Sequence, residues 1–181
     1  MKKIINPWAH KPGYKCFGCC PNNPIGLKMC FEEDGSDVVC RWKSSDYYQG
    51  WVDTLHGGIQ ATLIDECASW VVFRRLQTTA VTVNLSVKYR KAIMTTEPDI
   101  TIRATLKETK RNLAFITVRI TNSSGELCAE GDVTYFLFPK EKAVQMGFTE
   151  CLLDESQEPQ SVNSRCSSRE TDTSPMREIL T

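Results

Sequence analysis

Residues 56–72 read HGGIQATLIDECASWVV, and the spacing of their apolar members decides the fold. Ile59, Leu63, Ile64, Cys67, Ala68, Val71 and Val72 recur at helical intervals, which predicts a helix from Gly57 to about Arg75. At ~1.5 Å per residue such a helix is about 27 Å long. Apolar side chains occupy most of its circumference, so other structure must enclose it.

Outward from this helix the pattern changes to period two. Upstream, Leu27, Met29 and Phe31 alternate with Lys28, Cys30 and Glu32, and Val38, Cys40 and Trp42 alternate with Val39, Arg41 and Lys43. Asp34-Gly35 between them is a hairpin-turn signal. Downstream, Val81, Val83, Leu85, Val87 and Tyr89 form one alternating run, and Ile100, Ile102, Ala104 and Leu106 a second. Residues 113–121 and 126–138 make two more strands, split by the turn Asn122-Ser123-Ser124-Gly125. Gly131 inside the last is expected to mark a bulge or bend. The order ββαββββ describes an α+β fold, an antiparallel sheet with one central helix.

Three regions are expected. Residues 1–24 are a Cys/Pro/Gly-rich N-terminal segment, with four prolines, two glycines and three cysteines in residues 6–24. Residues 25–140 are the folded domain. Residues 141–181 are expected to be a polar, disordered tail, since from Asp154 to Glu178 only Val162, Cys166 and Met176 are apolar.

With 181 residues, 41% hydrophobic and 24% charged, the composition suits one soluble domain with a real core. Lys plus Arg and Asp plus Glu number 22 each, so no net field draws the chain to nucleic acid or to an anionic membrane. No stretch approaches the ~18–20 apolar residues of a membrane span. The opening MKKIINPWAHKPGYKC lacks an apolar run of signal-peptide length. Nine cysteines without an export signal point to reduced thiols and a cytoplasmic location.

His56-Gly57-Gly58 stands directly before the helix. Glycines expose backbone N–H groups, and a helix N-terminus adds unpaired donors and the positive end of the macrodipole. That combination can stabilise a carbonyl oxygen gaining negative charge. Asp65 and Glu66 interrupt an otherwise core-like run, where an ionised carboxylate is costly unless paired or used. Gly58, Thr62, Asp65 and Ser69 share one polar stripe, which puts Asp65 where a general base or nucleophile would act. Glu66, turned by about 100°, is the second catalytic candidate.

LHGGIQATLIDECASW (residues 55–70), with YQGWVDT before it and VNLSVKYRKAI after it, resembles hotdog-fold thioesterases of the phenylacetate-degradation (PaaI-like) type. The N-terminal CFGCCPNNPIGLKM (residues 16–29) is similar to the opening of many such proteins. The resemblance implies a sheet wrapped around the helix and hydrolysis of an acyl-CoA or related thioester. The Gly57 N–H would be the oxyanion donor, Gly58 would shape the turn, and Asp65 would be base or nucleophile. The substrate would lie across a homodimer or homotetramer interface. It further implies that His56 positions the loop and that Ser69 and Thr82 orient water or substrate. The family's Asn or Gln six residues before the His is replaced here by Gly50, with Gln49 one residue further back. Coenzyme A is then part of the substrate and no cofactor is needed. The alternatives are a non-catalytic acyl- or ligand-binding hotdog protein and a hotdog hydratase, whose Asp-(four residues)-His pattern is not found.

Two clusters remain. Lys88, Arg90 and Arg111 at strand ends are candidate contacts for the phosphates of coenzyme A. Cys16, Cys19 and Cys20 invite a metal reading, but a structural zinc site takes four ligands and no second pair stands at metal spacing, so no metal is expected.

Overall fold

In the computed structural model, which describes residues 1–156, the predicted helix is α1 (Gly57–Val71) followed by a π-helical turn (Val72–Leu76). It stops at Gln77, whose φ of 50° leaves the helical region. Seven strands surround it: β1 (Lys2–Lys3), β2 (Glu32–Asp34), β3 (Asp37–Trp42), β4 (Ala80–Tyr89), β5 (Ile100–Lys110), β6 (Leu113–Thr121) and β7 (Leu127–Leu137). They form one antiparallel sheet in the order β1-β2-β3-β5-β6-β7-β4.

The core is the seam between α1 and the inner face of this sheet. Leu63, Ile64, Cys67, Ala68, Trp70 and Val71 of α1 are buried against Val38 and Cys40 of β3, Ile102 and Ala104 of β5, Ile116 and Val118 of β6, and Val133 of β7. Apolar area withdrawn from water at this seam drives the wrapping. Gly131 is not a bulge. It pairs in register with Val87 on one side and Val118 on the other, while the register shifts fall elsewhere. A Cβ there would meet Ile64 Cγ2 at 2.7 Å, so the glycine lets helix and sheet close on each other.

Two expectations of element placement are corrected. Leu27, Met29 and Phe31 are buried as their alternation predicts, yet regular pairing starts only at Glu32. Lys28 has φ 54°, and the N–H groups of Leu27 and Met29 bond to Phe17 and Gly18 carbonyls at 2.7 and 2.9 Å, which ties this stretch to the N-terminal segment. The tail does not begin at 141. Helix α2 (Lys140–Gln145) buries Ala143, and Phe148 and Cys151 are buried beyond it. Phe148 packs on Trp8 and Phe73, and Gln77 bonds to both the N–H and the carbonyl of Cys151. The few apolar residues before Asp154 are enough to dock that stretch. Most of the expected tail, residues 157–181, lies outside the described residues. No helix among the described residues is long and apolar enough to cross a membrane.

Candidate active site

The loop before α1 is held from several sides. The His56 N–H donates to the Tyr48 carbonyl at 2.9 Å, and the Leu55 N–H to Ile93 at 2.8 Å. Gln60 Nε2 reaches back to the Leu55 carbonyl at 3.1 Å. His56 is the N-cap, and its Nδ1 accepts from the Gly58 N–H at 2.8 Å. That bond requires the Nδ1 lone pair, so Nε2 carries the proton in the neutral ring. Gly58 therefore shapes the turn. The Gly57 N–H, at the first helical position, has no intrahelical partner. The Gly57 carbonyl accepts from the exposed Tyr89 hydroxyl at 2.8 Å, which ties the helix start to the end of β4.

Asp65 faces the sheet two turns further on. Its Oδ1 accepts from Thr82 Oγ1 of β4 at 2.9 Å and from the Tyr135 hydroxyl of β7 at 2.7 Å. Burial, and after it the Asp65 carboxylate, push the Tyr135 phenol well above its ordinary value, so it stays a neutral donor. The single Tyr135 hydroxyl proton is shared between Oδ1 and the Asp65 backbone carbonyl at 2.6 Å, and both side-chain donors leave Oδ2 to act as acceptor.

Glu66 points elsewhere. It is partly buried beside the N-terminal segment, where Cys16 Sγ lies 3.5 and 3.6 Å from its two oxygens and Trp70 Nε1 donates at 3.1 Å. Burial, then the neighbouring Cys16, push its carboxyl up to about 7. Hydrogen bonding from Cys19 holds the Cys16 thiol down at about 5 and drives Cys19 upward. By sequence Glu66 groups with Asp65, but the 100° turn between them sends the two into different surroundings. Ser69 goes with Glu66. Its hydroxyl bonds back to the Glu66 carbonyl at 2.8 Å, and it lines the same cavity of about 170 Å³ with Cys16 and Cys19.

Residues 53–129 match the family described as the thioesterase superfamily. Over 102 residues, 55% of this chain and 72% of the relative, the chain is 31% identical to acyl-coenzyme A thioesterase 13 of Homo sapiens. The chain belongs to the thioesterase superfamily. Among solved members, zebra fish thioesterase superfamily member 2 is 30% identical and superposes with a TM-score of 0.59 over 72% of this chain and 90% of that one. A hypothetical thioesterase from Streptococcus pneumoniae, solved with coenzyme A, is 28% identical with a TM-score of 0.56 over 61% and 88%. The sheet wrapped on α1 is thus the hotdog fold of this superfamily.

The other expected residues spread out. Gln49 Oε1 accepts from the Asp53 N–H at 3.1 Å, which spends the side chain on the preceding turn. Gly50 packs against the imidazole, where a Cβ would meet His56 Cδ2 at 3.1 Å. Lys88 and Arg90 flank Tyr89 at the helix-start end, Arg90 paired with Glu130. Arg111 sits in the β5–β6 turn, by the opposite end of β4, roughly 30 Å away at ~3.3 Å per residue. Within one chain a single substrate phosphate cannot meet both groups. Sequence reasoning missed Tyr135 and Tyr89. A tyrosine buried at an inward strand position needs a partner for its hydroxyl, and that was the available signal for Tyr135.

Proposed function

We propose that this chain hydrolyses acyl-CoA thioesters. The observation that carries the reading is the Asp65 carboxylate, oriented by the hydroxyls of Thr82 and Tyr135 on the helix that opens at Gly57. Asp65 Oδ2 takes a proton from water as the water oxygen attacks the thioester carbonyl carbon. The carbonyl oxygen becomes negative against the Gly57 N–H and the positive end of α1. Collapse of the intermediate expels the thiolate, which takes the proton from Asp65 to leave as the thiol, and leaves the carboxylic acid.

Gly57 and Asp65 are separated by about 12 Å along the helix axis at ~1.5 Å per residue. One small carbonyl and its water could span them only if both groups pointed along that axis, and Asp65 Oδ1 instead faces β4 and β7. The site is therefore read as bipartite, Gly57 from one chain acting with Asp65 of the partner subunit. Strand β4 supports this. It is a sheet edge, and Val81, Val83 and Leu85 on it are 46%, 55% and 36% exposed. An open, apolar edge is a template for pairing with a second copy. Tyr47, Trp51 and Val52, at 92%, 84% and 81% exposed in the loop before His56, extend that uncovered surface.

An acyl-CoA panel read by released thiol tests the reaction. Turnover that vanishes in Asp65→Asn supports it, and no turnover of any chain length by wild type overturns it in favour of a ligand-binding protein. Mixing inactive Asp65→Asn with an inactive Gly57→Pro variant tests the shared site. Recovery of about one quarter of wild-type activity is expected from random subunit exchange of an equal mixture, in which half of the dimers are mixed and half their sites join an intact Gly57 to an intact Asp65.

A further inference from the structure

Thioester hydrolysis at Asp65 leaves Glu66, Cys16, Cys19 and their cavity without a role. Cys16 Sγ, Cys19 Sγ and a Glu66 oxygen all lie within 4.8 Å of one another. In a tetrahedral zinc site with Zn–S of about 2.3 Å and Zn–O of about 2.0 Å, sulfur and oxygen ligands stand ~3.5 Å apart. Cys16 Sγ is 3.5 Å from Glu66 Oε2. Gly18 is shaped for this arrangement, since a Cβ there would meet Glu66 Cδ at 2.4 Å. Among the described residues Glu66 makes no ion pair, and its side chain meets the Cys16 and Cys19 thiols and the Trp70 indole. A carboxylate withdrawn from water beside two thiols has no counter-charge of its own.

We propose that Cys16, Cys19 and Glu66 bind a zinc ion that clasps the N-terminal segment to α1. As the metal binds, the Cys19 thiol proton and any proton still on Cys16 or Glu66 leave to solvent. Two thiolates and a carboxylate then meet the dication, and the Trp70 indole N–H donates to the carboxylate that carries part of the excess negative charge. Tyr14, whose hydroxyl is 2.8 Å from Cys19 Sγ, steadies that sulfur. The fourth position opens on the cavity walled by Trp8, Tyr14, Ser69 and Phe73. Soft thiolates select zinc over magnesium or calcium.

The test uses the full chain. Protein made with zinc present is gel-filtered into metal-free buffer and its zinc measured by elemental mass spectrometry. Chelator-stripped protein is then titrated with Co²⁺ while thiolate-to-cobalt charge-transfer absorption is followed. About one metal per chain and a saturable charge-transfer band are expected, as for three protein ligands with the fourth position open to solvent. Cys16→Ser and Cys19→Ser should abolish the band, and Glu66→Gln should weaken cobalt binding roughly tenfold or more. Asp65→Asn should bind cobalt as wild type does while losing turnover, which separates this proposal from the thioesterase reading. Since the cysteine variants could misfold, circular dichroism accompanies each, and the wild-type titration decides by itself. Folded wild type with no zinc and no cobalt band overturns the clasp, as does an intact mass lowered by two hydrogens with a Cys16–Cys19 disulfide.

Discussion

Two carboxylates adjacent in sequence occupy unlike surroundings. Asp65 looks towards β4 and β7, where two hydroxyls grip one of its oxygens and the neighbouring strand edge is open. Glu66 looks towards the N-terminal segment, where sulfur and indole surround it and its carboxyl is held up at about 7. The difference arises from helix geometry alone, because one residue turns the side chain by about 100°. Hydroxyl donors that orient one carboxylate oxygen suit the proton-accepting role proposed for Asp65. Thiols without a cation suit a carboxylate that awaits one. A single helix can thus carry reaction chemistry on one side and fastening chemistry on the other.

The sharpest way to break this partition is to exchange the roles. Asp65→Asn should lower kcat by at least ~10²-fold with KM nearly unchanged, as for removal of a general base. Glu66→Gln should keep most of the turnover, measured as released thiol. If Glu66→Gln is the dead variant and Asp65→Asn is active, the two sides have been assigned the wrong way round. Tyr135→Phe removes one donor from Asp65 without a cavity, and should cost about tenfold in kcat, the worth of a hydrogen bond to a charged group. Stripping metal with a chelator should lower the melting temperature by several degrees, as loss of a ligand that binds only the folded state does. The same treatment should leave kcat at 25 °C within a factor of about two, since the clasp ligands do not share a hydrogen-bond partner with the Asp65 carboxylate. Ser69→Ala should have the smallest effect, with kcat and KM both within about twofold, because its hydroxyl is spent on the Glu66 carbonyl. A large rise in KM for this variant would return Ser69 to the substrate side.

The helix was legible because neither a strand nor a loop repeats its apolar residues every 3.6 positions, as Ile59 to Val72 do. His56, Gly57 and Asp65 were legible because polar or Gly residues in such a run demand a reason. Tyr135 was hidden by the same logic, since at an inward position of β7 it reads as core. The clasp was hidden by distance. Cys16 and Cys19 are close in sequence, but their partner Glu66 is 50 residues from Cys16, and no local spacing rule links them. Asp154 was a natural place to begin the tail by composition. A start at 141 neglects Phe148 and Cys151, which dock because Trp8, Phe73 and Gln77 wait for them from distant parts of the chain.

The sheet has two ends, and they are treated differently. At the β1 end, residues 152–154 lie along the outer side of the strand: Ile4 bridges Leu153, the Ile5 N–H donates to Leu152, and the Asp154 N–H donates to Lys3. At the β4 end nothing among the described residues covers the edge. A sheet open at both ends could add copies indefinitely, as a growing fibre does. A sheet with one open end joins a second copy of itself edge to edge, and the joined object then presents only capped ends. Under the proposed pairing, association through this edge would stop at two, and a fusion partner attached at the N-terminus would emerge by the capped β1 end and not at the β4 join.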